Sequence, residues 1–147
     1  MKKSLSLLSL SALVSLSQMS HAVELSVTIT NITPDQGTLY VRIYDTKSKW
    51  LSTEKEGPHH TETVALSAHK GATEFTKTFD LPAGKYAVTA TQDLNNNGTM
   101  DRNWMGIPTE PTGSTGDGTK KKGPPAFEQC VFELTEAAQQ TVALIQY

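Results

Sequence analysis

Apolar and polar side chains alternate with a period of two through most of this chain. From Val23 to Ile29, every second residue is Val, Leu or Ile, and Glu, Ser or Thr stand between them. Successive side chains of a strand lie on opposite faces, so the pattern predicts strands with one packed and one solvated face. The alternating segments cover residues 23–30, 39–44, 64–66, 75–80, 86–90, 130–134 and 141–147.

The number and spacing of these segments predict an all-β fold. About seven short strands separated by turn-forming sequences are typical of an antiparallel β-sandwich. Lys77 interrupts an apolar face between Phe75 and Phe79, which indicates an edge strand or a bulge. Helix is scarce, and we expect no more than a turn or two in each of the segments 47–56 and 136–140.

The N-terminus has the three parts of a secretory signal peptide. Lys2 and Lys3 form a basic region, an apolar and serine-rich stretch follows, and the small residues Ser20 and Ala22 precede a cleavage site. The alternative is a membrane anchor, but the apolar stretch is shorter than the roughly 20 residues that span a bilayer. We therefore predict a signal peptide over residues 1–22, cleaved after Ala22, and one mature domain over residues 23–147. Its location would be the periplasm or the extracellular medium.

The charge of the mature chain excludes some partners. Loss of Lys2 and Lys3 changes the count from 13 basic residues to 11, against 15 acidic ones, so the net charge goes from −2 to −4. Proteins that bind nucleic acid or anionic membranes present positive surfaces. We therefore expect no nucleic-acid partner, and no further segment is apolar enough to span a membrane after cleavage.

Cys130 is the only cysteine of the chain, so it has no internal disulfide partner. It alternates with Phe132 and Leu134. The alternatives are a reactive or intermolecular thiol and a buried residue on the inner face of a strand. The alternation favours the buried strand residue.

Residues 93–126 lack the alternating pattern and are predicted to form one long loop. Loops of this length within a compact domain are usually functional or disordered. We expect the part up to Glu110 to be ordered, with Trp104, Met105, Ile107 and Pro108 available as apolar anchors. The stretch 112–123, rich in Gly, Thr and Lys, is expected to be mobile.

The start of this loop has the spacing of a calcium site. Calcium takes six to eight oxygen ligands, and an Asp-x-Asn-x-Asn-Gly-x-x-Asp turn supplies several of them. The candidate ligands are Asp93, Asn95, Asn97, the backbone carbonyl of Thr99, and Asp101. Position 12, where an EF-hand has a bidentate acid, is Trp104, so any site here is weak, with Kd of about 10⁻⁴–10⁻³ M. Glu110 or Asp117 would be the source of a further oxygen. The alternative is a metal-free turn closed by Asx hydrogen bonds.

Several of these segments resemble one family of bacterial proteins. The shared features are Leu-Pro-Ala-Gly-Lys-Tyr-Ala-Val at 81–88, the Asp/Asn turn at 93–101, Gly-Ile-Pro-x-Glu at 106–110 and Gly-Pro-Pro-Ala-Phe at 123–127. With them the chain resembles the DUF2141 family of exported proteins of unknown function. The resemblance implies an immunoglobulin- or transthyretin-like sandwich and no established activity, so it assigns no catalytic residue.

Two functions of different classes follow from these patterns. The first is an exported binding or accessory module whose long loop is ordered by calcium. A related form makes that loop a recognition surface for a glycan or peptide, with Trp104 as a stacking platform. The second is a small periplasmic hydrolase that uses Asp93, Asp101 or Glu110 as acid or base. No catalytic constellation is present in the sequence, which favours the binding module.

Overall fold

The computed structural model describes residues 21–53, 57–116 and 123–147. In this part of the chain the protein is nearly all β, as predicted, with eight strands rather than about seven. The strands are β1 (Ala22–Thr30), β2 (Thr38–Tyr44), β3 (His60–Ala65), β4 (Phe75–Pro82), β5 (Gly84–Asp93), β6 (Thr112–Ser114), β7 (Phe132–Leu134) and β8 (Ala138–Ala143). One helical turn, α1 (Phe127–Cys130), and two 3-10 turns, Lys47–Lys49 and Leu66–Ala68, complete the described elements.

The strands form two sheets. The smaller sheet has the order β4-β1-β8, and the larger one has the order β3-β2-β5-β6. β7 also belongs to the larger sheet, because it pairs with the start of β5 while β6 pairs with the middle of the same strand. β1 and β8 are parallel, and the other paired strands are antiparallel. The chain crosses from one sheet to the other between β7 and β8, so no hairpin forces β8 to run antiparallel to β1.

The inner faces of the two sheets meet in one apolar core. Each fully buried Leu, Ile or Val contributes about 1.5–3 kcal/mol relative to the same side chain in water. The sequence alternation identified these faces because only one side of each strand reaches the core. The core includes Leu25, Val27, Ile29, Leu39, Val41, Ile43, Phe79, Leu81, Tyr86, Val88, Ala90, Leu134 and Val142.

β4 is an edge strand, as predicted from Lys77. Among the described strands it pairs with β1 alone, and the Lys77 side chain is exposed and lies 3.4 Å from a carboxylate oxygen of Glu62. A charged residue at this position discourages pairing with another chain.

The assignment of Cys130 to a strand was wrong, although the prediction of its burial is confirmed. Cys130 ends the helical turn α1 and is 1% exposed. Its Sγ donates to Ser114 Oγ at 3.5 Å. The alternation with Phe132 and Leu134 was misleading because only the last two belong to β7.

The C-terminal strand begins earlier than predicted. β8 covers Ala138–Ala143, so the segment 136–140 enters a strand instead of a helical turn. Pairing with β1, from Leu25 opposite Ala138 onward, overrides the helix propensity of its Ala and Gln residues. Beyond β8, Ile145 forms an isolated bridge with Thr112, which ties the edge of one sheet to the other.

The long loop is interrupted by β6, so the expectation of a mobile stretch from residue 112 was wrong for its first residues. Thr112–Ser114 pairs with β5, and Thr115 is fully buried. Gly113 allows this arrangement, since a Cβ there would lie 2.3 Å from the carbonyl oxygen of Ala143.

The predicted signal peptide lies outside the described residues except for its last two positions and stays a prediction. In the described part, no helix is long and apolar enough to cross a membrane. Of the segment 47–56, residues 47–49 form a 3-10 turn, and residues 54–56 lie outside the description.

Candidate functional site

Asp93, the last residue of β5, closes the turn that was predicted to bind calcium. Its side chain is 1% exposed. Oδ1 accepts a hydrogen bond from the backbone N–H of Asn97 at 3.2 Å, and Oδ2 accepts one from Gly98 at 2.8 Å. Asn96 and Gly98 have positive φ angles of 59° and 77°, which a turn this tight requires and which Asn and Gly tolerate.

Asp101 lies on the other side of the same turn, and its carboxylate accepts hydrogen bonds from the side-chain amides of Asn95 and Asn97. Asn95 Nδ2 donates to it at 2.6 Å, and Asn97 Nδ2 lies 3.0 Å from both of its oxygens. Thr99 donates from its backbone N–H and its hydroxyl to Asn97 Oδ1, each at 2.9 Å. The structure therefore brings all five predicted residues into one hydrogen-bonded cluster.

Glu110 joins this cluster from the far end of the loop. Its side chain is 3% exposed; Oε1 accepts from Leu94 N–H at 3.0 Å and Oε2 from Asp101 N–H at 3.2 Å. Burial raises the pKa of Glu110, the two backbone hydrogen bonds lower it, and the charges of Asp93 and Asp101 raise it further. The Glu110 carboxylate thus holds together the two chain segments at the base of the loop.

The polar side chains of this cluster form hydrogen bonds with one another and with the backbone of the turn. Asn95 Oδ1 accepts from Asn97 N–H at 3.1 Å, the local contact expected of a metal-free Asx turn. Among the residues that the structure describes, no three His, Cys, Asp or Glu side chains converge at metal-binding distance. Asp117, considered as a further ligand, lies outside those residues.

Two of the four expected apolar anchors, Trp104 and Met105, do not anchor the loop tip, whereas Ile107 and Pro108 are half-buried. Trp104 is 92% exposed and Met105 is 58% exposed. Hydrogen bonds hold the tip instead, because Asn103 Oδ1 accepts the backbone N–H groups of Met105 and Ile107 at 2.9 and 3.1 Å. Ile107 is half-buried, so its packing is only partial.

A pocket that sequence reasoning missed lies on the outer face of the larger sheet. Arg42 on β2 is opposite Thr89 on β5, which is opposite Ser114 on β6, so the three side chains form a row across the sheet. A second row contains Thr91 and Thr112. These rows are the floor of a cavity of about 620 Å³ and of an adjoining one of about 310 Å³, which we call together the outer pocket.

Three loop segments form the two walls of the outer pocket. One wall is the stretch 98–108, which includes the end of the calcium-type turn. The other consists of Leu51 and Thr53 with Pro124 and Pro125. The lining is largely apolar, with hydroxyls and two guanidinium groups at a few positions.

Trp50 fixes the second wall in place. Its indole N–H donates to the carbonyl of Pro125 at 2.7 Å, and its ring makes edge contacts with Tyr44 and Phe127. Tyr44 is 1% exposed, and its hydroxyl donates to the carbonyl of Ser52 at 2.9 Å. Burial raises the pKa of Tyr44, so it stays a neutral phenol at physiological pH.

The sequence did contain a signal for this pocket. Thr89 and Thr91 occupy outward positions on a central strand, yet both are less than 10% exposed. A sandwich strand with a solvated outer face usually carries charged side chains there, but the middle of the outer face of β5 carries Ala87, Thr89 and Thr91, with charged residues only at its two ends, Lys85 and Asp93. Such an outer face indicates that loops cover it.

The fold and the pocket define a small β-sandwich protein with a loop-walled cavity on one sheet. A family model matches residues 27–142, and the chain belongs to that family, DUF2141, described as an uncharacterized protein conserved in bacteria. A search of curated proteins and a search of solved structures each found no match.

Proposed function

We propose that this chain is an exported binding module that holds a small ligand in the outer pocket. The observation that carries the proposal is the cavity itself. Ligand sites in proteins are concave, largely apolar and about 300–1,000 Å³ in volume, with a few polar groups that orient the ligand. The outer pocket has this size and this composition.

The calcium-type turn serves the pocket by shaping one wall. Gly98, Thr99 and Met100 line the smaller cavity, and the N–H of Gly98 donates to the Asp93 carboxylate. We propose that calcium, where it binds, does so through Asp93, Asn95, Asn97, the Thr99 carbonyl and Asp101. Rotation of the two asparagine amides would present their oxygens, instead of their N–H groups, to the space beside Asp101.

The geometry supports binding better than hydrolysis. A general acid or base must reach a proton of its substrate. The oxygens of Asp93 and Glu110 accept backbone N–H groups and hold the loop base together. Asp101 is committed to the two asparagine amides. These carboxylates have structural partners, which favours the binding module over the hydrolase.

Export belongs to the proposal and agrees with the calcium-type turn. A turn with two carboxylates binds calcium only weakly, and weak sites are found in extracellular modules, where calcium is abundant. The test is the mass of protein recovered from the periplasm or medium, which should correspond to a chain that starts at Val23. A mature protein that retained residues 1–22 would contradict cleavage.

The ligand pocket is tested by amide chemical shifts of ¹⁵N-labelled protein. The probes are octanoate, 1-octanol, maltose and a tripeptide, added one at a time. At least one probe should shift the amides of Thr89 and Ser114, and Thr91→Phe should abolish the shift because the new ring fills the floor between both cavities. Trp104→Ala is the matched control on the exposed loop tip and should leave the shift intact.

The outcomes separate the pocket from the loop tip. A probe that binds equally well to Thr91→Phe, and is lost in Trp104→Ala, would place recognition on the stacking platform and contradict the pocket. Shifts at the pocket amides that persist in Trp104→Ala support the proposal.

A further inference from the structure

We infer that the outer pocket takes an amphipathic anion, a small molecule in which a carboxylate or phosphate group is joined to an apolar body. This inference rests on the proposed binding function and names its ligand class. The observations that carry it are the positions of the two arginines, the scarcity of acidic residues in the described lining of the pocket, and the apolar walls.

Arg42 and Arg102 are the only two arginines of the chain, and both line both cavities of the outer pocket. They come from different parts of the fold, since Arg42 is on the central strand β2 and Arg102 is on the loop wall. The described lysines, by contrast, line neither cavity. Arginine presents a planar fork of donors that matches a carboxylate or phosphate, which a lysine ammonium does not.

Arg42 is held ready for such a contact. Its guanidinium carbon lies 4.9 Å from the centre of the Tyr40 ring, so stacking restricts its orientation. Its side chain is half-buried. In the described part of the chain, no ion pair joins it to an Asp or Glu. A partly buried cation without an anionic partner is costly, and an anionic ligand would offset that cost.

Arg102 faces the same space from the wall. Its Nη1 donates to the Gly106 carbonyl at 2.9 Å, and its Nη2 lies 3.6 Å from Met100 Sδ. These contacts fix the guanidinium against the loop and occupy two of its five donors. The other three donors are free of side-chain partners among the described residues.

The pocket contains little negative charge to compete with a ligand. Among the residues that the structure describes, no Asp or Glu lines the larger cavity. Asp93 is the one described acidic residue that lines the smaller cavity, and its oxygens accept the Asn97 and Gly98 N–H groups. The hydroxyls of Thr89 and Ser114, in the same row as Arg42, are further groups that can donate to an anion.

The apolar part of the ligand has a place along the walls. Seven of the described Leu, Ile, Met and Pro residues line the larger cavity beside the arginines, drawn from all three loop segments. They are Leu51, Met100, Met105, Ile107, Pro108, Pro124 and Pro125. Flexible methionines adapt to irregular apolar ligands. A headgroup between the guanidinium groups would therefore leave its apolar body against these side chains.

The test compares octanoate, 1-octanol and octylammonium, which share an alkyl chain and differ in the charge of the headgroup. Dissociation constants are measured at pH 7 by calorimetry, with ¹⁵N amide shifts to locate the site. We expect octanoate to bind at least about tenfold more tightly than 1-octanol, a difference of about 1.4 kcal/mol. Octylammonium should bind more weakly than the alcohol.

Substitution of the arginines assigns the effect. Arg42→Gln and Arg102→Gln should each weaken octanoate about tenfold and leave 1-octanol unchanged. Lys70→Gln removes one positive charge at an exposed position away from the pocket and should change neither. Arg102 is exposed on a loop, so its variant folds even if the replacement of Arg42 perturbs the sheet.

The failures can be told apart. If octanoate and 1-octanol bind the pocket with equal affinity, or if both arginine variants retain full octanoate affinity, the anion inference is wrong while the binding pocket stands. If octanoate does not bind, the anion inference is also overturned. The proposed binding function is then decided by whether maltose or the tripeptide shifts the amides of the pocket.

Discussion

Asp93 holds two backbone N–H groups at the start of the loop through a side chain that is 1% exposed. Hydrogen bonds to charged groups contribute about 1.5–3 kcal/mol. We expect Asp93→Ala to lower the free energy of unfolding by about 2 kcal/mol, measured by urea denaturation with EDTA present. Asp80→Ala, at an exposed position on β4, is the control and should change stability by no more than about 0.5 kcal/mol. Equal effects of the two variants would show that Asp93 does not stabilise the turn.

Glu110 makes stability depend on pH. Because burial raises its pKa, the folded protein keeps a proton on Glu110 at pH values where the unfolded chain has lost it. Its contribution to the free energy of unfolding is therefore complete below the unfolded value of 4.5 and is lost as pH rises through the folded pKa. The stability of wild type minus that of Glu110→Gln should grow as pH falls from neutral toward 4.5.

The measurement is urea denaturation at a series of pH values with EDTA, on both proteins. Glu24→Gln, at an exposed position on β1, is the control for a carboxylate without burial. If the free energy of unfolding of wild type minus that of Glu110→Gln grew as pH rises, the pKa of Glu110 would be lowered by folding, which would contradict its raised pKa.

At the residue scale, the spacing of Asp93, Asn95, Asn97 and Asp101 was enough to predict that they meet, because a tight turn brings alternate side chains together. The part played by Glu110 was less predictable. Its two contacts, to Leu94 and Asp101 N–H, join the ends of a loop whose path no local pattern determines.

At the scale of elements, alternation predicted β1, β2, β4 and the middle of β5, since each has a core face and a wet or covered face. It failed for β6, because Thr-Gly-Ser has no apolar residue to mark an inner face. That strand exists because Gly113 lets it approach β8 closely, a tertiary contact that a local sequence window does not contain.

Gly113→Ala tests this close approach. The added Cβ would lie 2.3 Å from the Ala143 carbonyl oxygen, so β6 and β8 must separate. We expect a loss of about 1–3 kcal/mol, the usual cost of overpacking, measured by urea denaturation. Gly84→Ala is the matched control, since its Cβ meets nothing closer than 3.4 Å and its φ is not positive. A Gly113→Ala protein as stable as Gly84→Ala would contradict the close contact of the two strands.

At the scale of the whole molecule, the sandwich supports three loop segments that enclose one sheet face. The sequence identified the sandwich and the longest of these segments. It did not reveal the cavity, because the second wall depends on Trp50 reaching Pro125, 75 residues away in the chain. Contacts at such separation follow from the complete fold and are not visible in local periodicity.

Calcium should stabilise the whole molecule if it binds the loop. Binding at a calcium concentration equal to Kd adds about 0.4 kcal/mol, and at 100 times Kd it adds about 2.7 kcal/mol. We expect the melting temperature to be higher in millimolar calcium than in EDTA, and Asp101→Asn to reduce the difference. Asp80→Asn should preserve it. A melting temperature that does not respond to calcium would leave the loop as a metal-free turn.

The outer pocket is the central claim, and intermolecular nuclear Overhauser effects test it most directly. The sample carries labelled methyl groups on Thr, Met and Ile and labelled Trp indole rings, with octanoate as the ligand at saturating concentration. The pocket predicts cross-peaks from the alkyl chain to the methyl groups of Thr91, Met100 and Ile107, which lie on its floor and wall. Cross-peaks confined to the exposed indole of Trp104, with none to the methyl groups of the pocket, would contradict it.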